Sequence, residues 1–414
     1  MNILKYIFDG YNNFKEKDLF IKIFQGVLFL WIFSIPLKSS IYQICTVLII
    51  VLFFVHYIYN KQKTLLIEVL ITYKRLLLIY FFFILAMILS SILGVGDKST
   101  LTDILKYFFR YLLILVILLY FYKQRFYGRK WLLTVIFIAL FMHALDGIYQ
   151  YITGFDLILN KLTSQSTYKL TGAVYHHNPF GLFMAIGASI SLVLFLSNNN
   201  YTMFKCDKYI YLITLIIFLF TLFHSQSRSA WTMFGIYFIG YIFIYLKENG
   251  FNKKLVFTLL LLLITISMLF LFDNNLLKRL NLLFQGHSSG RTTLIWPFTV
   301  EKIMNSPILG YGINTYKLVA HGHNARFQAG VHNIFLELLL YTGIIGFSIF
   351  TYLIWLTLKE SFTKDKIVYF ILFVSFIVLM QFDGSLIDSK VHINIFILML
   401  FFIFSFRLDK KSSA

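Results

Sequence analysis

Three residues of this chain pair a reactive side chain with an unusual setting. Arg228 stands in His224-Ser225-Gln226-Ser227-Arg228-Ser229-Ala230-Trp231, Arg291 in Ser289-Gly290-Arg291-Thr292-Thr293-Leu294-Ile295-Trp296, and His332 in Val331-His332-Asn333-Ile334-Phe335-Leu336-Glu337. A planar guanidinium binds two phosphate oxygens through parallel hydrogen bonds, which a lysine ammonium cannot match. An imidazole is the side chain best suited to take a hydroxyl proton near neutral pH. Together these types point to anion binding coupled to proton transfer. Blander readings stay open on the residues alone. Arg228 also fits an interfacial anchor beside a belt tryptophan, Trp231, and His332 a plain helix cap.

A second group surrounds these three. Asn333 and His332 sit at a helix start, where free N–H groups and the positive dipole end favour an anion. Glu337 lies one to two turns deeper and is expected to face the helix bundle, with Gly343 and Gly346 below it permitting close helix packing. Gly310 and Gly312, in Ser306-Pro307-Ile308-Leu309-Gly310-Tyr311-Gly312, permit a tight turn or a close backbone approach. Lys169, His177 and Asn178 belong to a polar run ending in Pro179. Asn178 suits an N-cap there and Pro179 the first helical turn. Arg326, between His323 and His332, is a further candidate contact for an anionic substrate. Arg291 opens a helix expected to reach about Asn305, with Leu294, Ile295, Phe298, Ile303 and Met304 on its apolar side. A cation at that end opposes the helix dipole, so its placement invites a functional explanation.

The elements that must position these residues are membrane helices. The chain has 414 residues, of which 59% are hydrophobic and 13% charged, and a mean hydropathy of +0.77. Soluble domains are usually about 25% charged. Apolar runs long enough to cross a hydrocarbon core of about 30 Å predict twelve spans, near 19–37, 41–60, 76–94, 104–122, 131–152, 179–197, 207–224, 229–247, 255–272, 332–357, 366–382 and 391–407. Only helices, or a closed barrel of short alternating segments, satisfy the backbone in lipid. The fold class is therefore an all-α polytopic membrane protein, read as a single domain over 1–414. Its one large polar loop is 273–331, which holds short helices.

Lys and Arg orient it. Lys5, Lys15, Lys17, Lys61, Lys63, Lys74, Arg75, Lys123, Arg125, Arg129, Lys130 and others fall on one side, while the short loops opposite hold Lys38, Lys98, Lys161, Lys169, Arg228 and Lys390. By the positive-inside rule both termini are cytoplasmic and the 273–331 loop is outside. No cleavable signal is expected at the N-terminus, because residues 1–18 are charged and aromatic. The formal charge of +19 then reports topology and contact with anionic membrane lipid, with no nucleic-acid partner.

Several chemistries lack their motifs: there is no G-x-x-x-x-G-K-[ST], G-x-S-x-G or H-E-x-x-H. Two cysteines make neither a disulfide framework nor a zinc motif. Outer-side acids are sparse, namely Asp273, Glu301, Asp383 and Asp388, which speaks against a metal-activated nucleotide-sugar site. No metal and no cofactor are expected.

In order and spacing, these motifs resemble the O-antigen ligase family, within the O-antigen ligase/polymerase superfamily of bacterial lipopolysaccharide assembly. The likeness rests on Arg228 in its Ser-Arg-Ser-Ala-Trp setting, Gly290-Arg291 with Trp296, the Ser306–Gly312 turn, and His332-Asn333 with Glu337, Gly343 and Gly346. The Gly172 to Asn178-Pro179 element also fits. The resemblance implies a glycosyltransferase C-like fold in the bacterial inner membrane with its active site facing the periplasm. It implies transfer of a glycan from undecaprenyl diphosphate to a sugar hydroxyl of lipid A–core, inverting the anomeric centre without a metal. Arg228 and Arg291 would bind the diphosphate and His332 would act as base. Asn333, Glu337, Gly310, Gly312, His177, Asn178, Lys169 and Arg326 would contact or orient substrate. Two alternatives stand beside it: a polymerase joining carrier-linked repeats, and a lipid-linked glycan transporter. The second calls for inverted repeats and broken helices with midplane polar sites, and the sequence displays neither.

Overall fold

The computed structural model describes residues 19–37, 40–60, 63–95, 98–160, 162, 169–174, 176–197, 208–285, 290–321, 330–387 and 389–411. Among them helices dominate, and β-pairing is limited to isolated bridges, Leu37 with Val174 and Phe155 with Leu162. In chain order the helices are α1 (Leu19–Ser34), α2 (Ser40–Asn60), α3 (Lys63–Thr72), α4 (Lys74–Leu93), α5 (Lys98–Tyr107), α6 (Leu113–Lys123), α7 (Arg129–Thr153), α8 (His177–Leu196) and α9 (Lys208–His224). There follow α10 (Arg228–Asn249), α11 (Lys253–Phe272), α12 (Asn274–Phe284), α13 (Trp296–Asn305), α14 (Tyr316–Val319), α15 (Ile334–Ser361), α16 (Ile367–Leu379) and α17 (Lys390–Lys411).

An apolar helix occupies each of the twelve expected stretches, but only nine spans among the described residues are long and apolar enough to cross a membrane. The short ones are α1 with 16 residues, α9 with 17 and α16 with 13. At 1.5 Å per residue α16 covers about 20 Å, well under a hydrocarbon core of about 30 Å. Hydropathy alone overstated these stretches because their apolar runs continue into turns, as at Met380-Gln381-Phe382 after α16.

The chain forms two compact units, one of Met1–Leu52 with Arg125–Gln285 and the other of Phe53–Gln124 with Gly286–Ala414. In the first, α8 is the enclosed helix, packed against α7, α9 and α10. Glycines permit that closeness: a Cβ on Gly187 would lie 2.3 Å from the Phe218 ring, and one on Gly181 would lie 2.7 Å from Ser225 Oγ. α11 is the opposite case. Only Leu255, Thr258 and Leu262 of it are buried, and an apolar helix exposed nearly all round is what a lipid-facing span requires.

In the second unit α17 is enclosed by α6, α15 and α16, and α15 packs along α4. α15 is broken. Gly343 has φ +57 and ψ −166, which frees main-chain groups on both sides of it. The loop that follows α13 satisfies them: Tyr311 N donates to Leu340 O at 2.9 Å, Gly312 N to Tyr341 O at 3.0 Å, and Ile344 N to Pro307 O at 2.9 Å. The sequence reading took Gly343 for a helix-packing glycine in a continuous span; the structure makes it the break itself. A Cβ there would sit 2.2 Å from Ile308 O, and one on Gly310 would sit 2.7 Å from Gly343 N. Gly312 (φ +98) crosses Ser91 at the end of α4. The expected close backbone approach at 310–312 is thus an approach to α4 and α15. Gly346 lies nearest Thr342 of its own helix.

Candidate catalytic site

In the second unit three separate segments meet around one carboxylate. The first is the turn of π-helix Arg291–Ile295 that leads into α13. Gly290, at φ +83, caps it, and both Leu294 N and Ile295 N reach back to Gly290 O. Such widened turns need a residue free of Cβ strain at the cap and often mark functional sites. Of the five apolar positions expected to seat the following helix, Ile295, Phe298 and Ile303 are buried, whereas Leu294 and Met304 are exposed. α13 packs on α15, and Trp296 Nε1 donates to Val331 O at 3.1 Å.

The second segment starts α15. Asn333 is its N-cap, its side-chain oxygen accepting from Phe335 N at 3.0 Å and Leu336 N at 3.1 Å. The capping that the sequence left open for this element is therefore performed by Asn333. His332, just outside, has φ +54. Left-handed backbone is uncommon for a residue with a Cβ and costs about 1–3 kcal/mol, so the surroundings must hold it there. Part of that hold is Ile334 N, which donates to Met380 O at 3.0 Å.

The third segment, between α16 and α17, carries Asp383. This residue is 7% exposed. His332 Nδ1 lies 3.4 Å and an Arg291 terminal nitrogen 3.6 Å from the same Asp383 oxygen, and Arg291 also donates to Phe382 O. Burial by itself would raise the Asp383 carboxyl, but the His332 hydrogen bond and the Arg291 charge outweigh it and hold Asp383 below the ordinary carboxylate range. Asp383 is thus an ionised bridge between a candidate base and a candidate anion binder. Sequence reasoning saw it only as one of a few outer-side acids. Its place between two late spans, on the side expected to hold Arg291 and His332, was the available signal.

Glu337 is buried as expected, at 3% exposure, and accepts from Ser385 Oγ at 2.5 Å. The carboxylate facing His332 is Asp383, so Glu337 acts on the Asp383-bearing segment instead. Tyr107 hydroxyl donates to Leu386 O at 2.9 Å. His392 on α17 bonds Ser389 Oγ at 2.6 Å and contacts Asp383. Four buried polar side chains, Tyr107, Glu337, Asp383 and His392, therefore fix this short segment; a fully satisfied buried network of this kind is rigid.

Arg228 belongs to the first unit, where it is the first residue of α10. Its preceding turn, Ser225-Gln226-Ser227, is buried, with Gln226 at φ +55. One Arg228 nitrogen donates to Leu282 O at 3.4 Å, in the last turn of α12, and Arg279 Nε donates to Gln226 O at 3.3 Å. Trp231 Nε1 bonds Leu222 O at 3.0 Å. Lys169 is half-buried in the segment whose next residue, Leu170, donates its N–H to His224 O at 3.0 Å. At α8, the cap is His176, whose Nδ1 accepts from Asn178 N at 3.3 Å, so His177 opens the helix and Asn178 follows it. The expected cap at Asn178 thus moves two residues toward the N-terminus. His321 is exposed after α14, and Arg326 and His323 lie outside the described residues.

The class defined so far is a multi-pass, all-helical membrane protein with an arginine and a strained histidine paired to one buried aspartate. Comparison with known proteins places it more narrowly. Residues 213–351 match the family described as O-antigen ligase, so the resemblance read from the motifs is borne out over that region. That region includes Arg228, Arg291, Gly310, Gly312, His332, Asn333 and Glu337. Similar proteins include two that are provisionally named polysaccharide ligases. The one from Rickettsia conorii is 28% identical over 47% of this chain and 48% of its own length. The one from Rickettsia prowazekii is 28% identical over 44% of this chain and 47% of its own length. The chain spans about half the length of the curated relatives it matches.

Proposed function

We propose that this protein transfers a glycan from a lipid diphosphate carrier to a sugar hydroxyl at the outer surface of the bacterial inner membrane. On this reading the donor is an undecaprenyl-diphosphate-linked polysaccharide and the acceptor is lipid A–core. The observation that carries it is the meeting of His332 and Arg291 on Asp383.

In the proposed reaction His332 accepts the proton of the acceptor hydroxyl. The oxygen attacks the anomeric carbon, the bond from that carbon to the diphosphate oxygen breaks, and the configuration inverts. The proton remains on His332, where Asp383 stabilises the imidazolium. The lipid diphosphate leaves as an anion, and a guanidinium positioned beforehand supplies the charge that the transition state develops. Arg291, already oriented by Asp383 and Phe382 O, is suited to that part. Arg228 is proposed as a second diphosphate-binding residue on the evidence of its own cation-rich turn. The donor brings its own activation, so no nucleotide is required.

Deleting the gene in the bacterium that encodes it tests the reading. Free lipid A–core together with accumulated carrier-linked polymer supports ligase activity. Core bearing a single repeat would mean a polymerase, and a block in carrier flipping would mean a transporter. The break at Gly343 is a feature shared with transporters, but here its freed main-chain groups are engaged by 307–312.

A further inference from the structure

In the first unit α12 meets one short turn at three points along its length. At its start, Asp273 Oδ2 lies 3.5 Å from His224 Nε2, where α9 ends. Further along, Arg279 Nε donates to Gln226 O at 3.3 Å. In its last turn, Leu282 O accepts from an Arg228 nitrogen at 3.4 Å, where α10 begins. Asp273 itself is extended (φ −124, ψ 102) and ends α11. Its Oδ1 accepts from Asn275 N at 2.7 Å, so one helix stops there and a new one starts. α12 has 11 residues, about 16 Å at 1.5 Å per residue. A helix of that length rising away from the membrane would leave the 224–228 turn behind. Contacts from Asp273 to Leu282 instead keep α12 at the level where α9 and α10 end.

Around the α12 axis three faces differ. Leu276 is buried and Leu280 half-buried against the protein. Asn274, Lys278 and Asn281 are exposed and polar. Between these faces runs an apolar edge, Leu277 at 37% exposure and Phe284 at 79%. The two are seven residues apart, a spacing that places them on one line of a helix. That edge continues a surface whose occupant is lipid. α11 is buried only at Leu255, Thr258 and Leu262 and ends in exposed Leu271 and Phe272. A helix with one apolar edge and a basic residue on its polar face suits the boundary between headgroups and acyl chains.

We propose that α12 is an interfacial anchor whose Leu277–Phe284 edge rests in the outer lipid leaflet. Through Asp273, Arg279 and Leu282 it holds the 224–228 turn, and Arg228 with it, at the depth of the lipid headgroups. The first statement concerns lipid alone and is testable without turnover. The second, that this depth serves the binding of a carrier diphosphate by Arg228, rests on the transferase reading. Arg279 is then a positioning residue, acting on Arg228 through the main chain of Gln226.

The test places a nitroxide on the full chain in phosphatidylglycerol–phosphatidylcholine nanodiscs and measures its access to oxygen and to a water-soluble nickel chelate. Single cysteines replace Phe272, Leu277, Asn281 or Phe284 in a protein with Cys45→Ala and Cys206→Ala. Labels at 277 and 284 should match the lipid-facing label at 272, open to oxygen and closed to nickel, while the label at 281 should be open to nickel. Nickel access at 277 and 284 equal to that at 281 would overturn the anchor. Low access to both reagents at 277 and 284 would mean a protein partner, a second copy included, and would overturn it equally. The second statement is read from Leu277→Ser with Phe284→Ser, which should raise donor KM about tenfold and leave kcat unchanged. An unaltered KM would overturn the link to Arg228. Where that double variant does not fold, Phe284→Ser alone reports, with a smaller rise in KM expected and none contradicting the link. Absence of transfer by wild-type protein, with the accessibility pattern intact, would count against the transferase reading alone.

Discussion

Arg228 and Arg291 look alike in the sequence, each an isolated outer-side arginine followed by a tryptophan, yet their surroundings are opposite. Arg291 shares Asp383 with His332, so its charge is balanced and its direction fixed. Arg228 and Arg279 lie within electrostatic reach of Lys169. A balanced, oriented cation is suited to act at a reacting centre, where small displacements cost rate. A cation among cations is suited to hold a polyanion. On the proposed reading Arg291 aligns beside the base, and Arg228 separately holds diphosphate.

The largest effect should come from His332. His332→Asn keeps a residue that tolerates positive φ but removes the base, and should lower the transfer rate by about 10²–10⁴ in a reconstituted assay, with little change in unfolding temperature. Arg291→Ala should cost about 10²–10³ in rate, and Arg291→Lys should recover only part of it because the forked contact to Asp383 and Phe382 O is lost. Arg228→Ala sharpens the comparison: here the loss should fall mainly on donor KM. An equal split between kcat and KM for the two arginines would erase the distinction.

Gly343→Ala addresses architecture. Its Cβ would overlap Ile308 O in a backbone region costly to L-residues, so a loss of roughly 1–3 kcal/mol is expected on unfolding, with parallel loss of activity. The smallest effect concerns pH. Because Asp383 is depressed, its pairing stabilises the fold fully above the unfolded carboxylate value of about 3.9, and that contribution is lost as pH falls through the lower folded value. Stability of Asp383→Asn should therefore vary less with pH in strong acid than wild type; identical acid profiles would show that Asp383 is not the ionised bridge.

Much of the fold was legible because lipid imposes it. An apolar helix stands at each expected stretch, and the pattern of glycines at 310 and 312 did announce a close backbone approach. Arg228, Arg291 and His332 stood out as candidates because isolated polar residues are conspicuous in an apolar chain. What stayed hidden depends on contacts between distant segments. Asp383 meets His332 only when the 380–387 segment is held by Glu337, Tyr107 and His392, and no local spacing encodes that. Glu337, a candidate for contacting or orienting substrate, supports the segment bearing the aspartate that faces the histidine. The helix break at Gly343 depends on backbone offered by 307–312, and a glycine in an apolar run reads equally well as packing.

The most direct test of the central claim uses proteoliposomes holding wild-type protein, His332→Asn or Asp383→Asn, supplied with undecaprenyl-diphosphate-linked polysaccharide and lipid A–core. Polysaccharide-bearing lipid A–core and released carrier diphosphate should form together with wild-type protein. Both should fall by about 10²–10⁴ with His332→Asn and by a smaller factor with Asp383→Asn. Undiminished transfer by the folded His332→Asn protein would contradict the account.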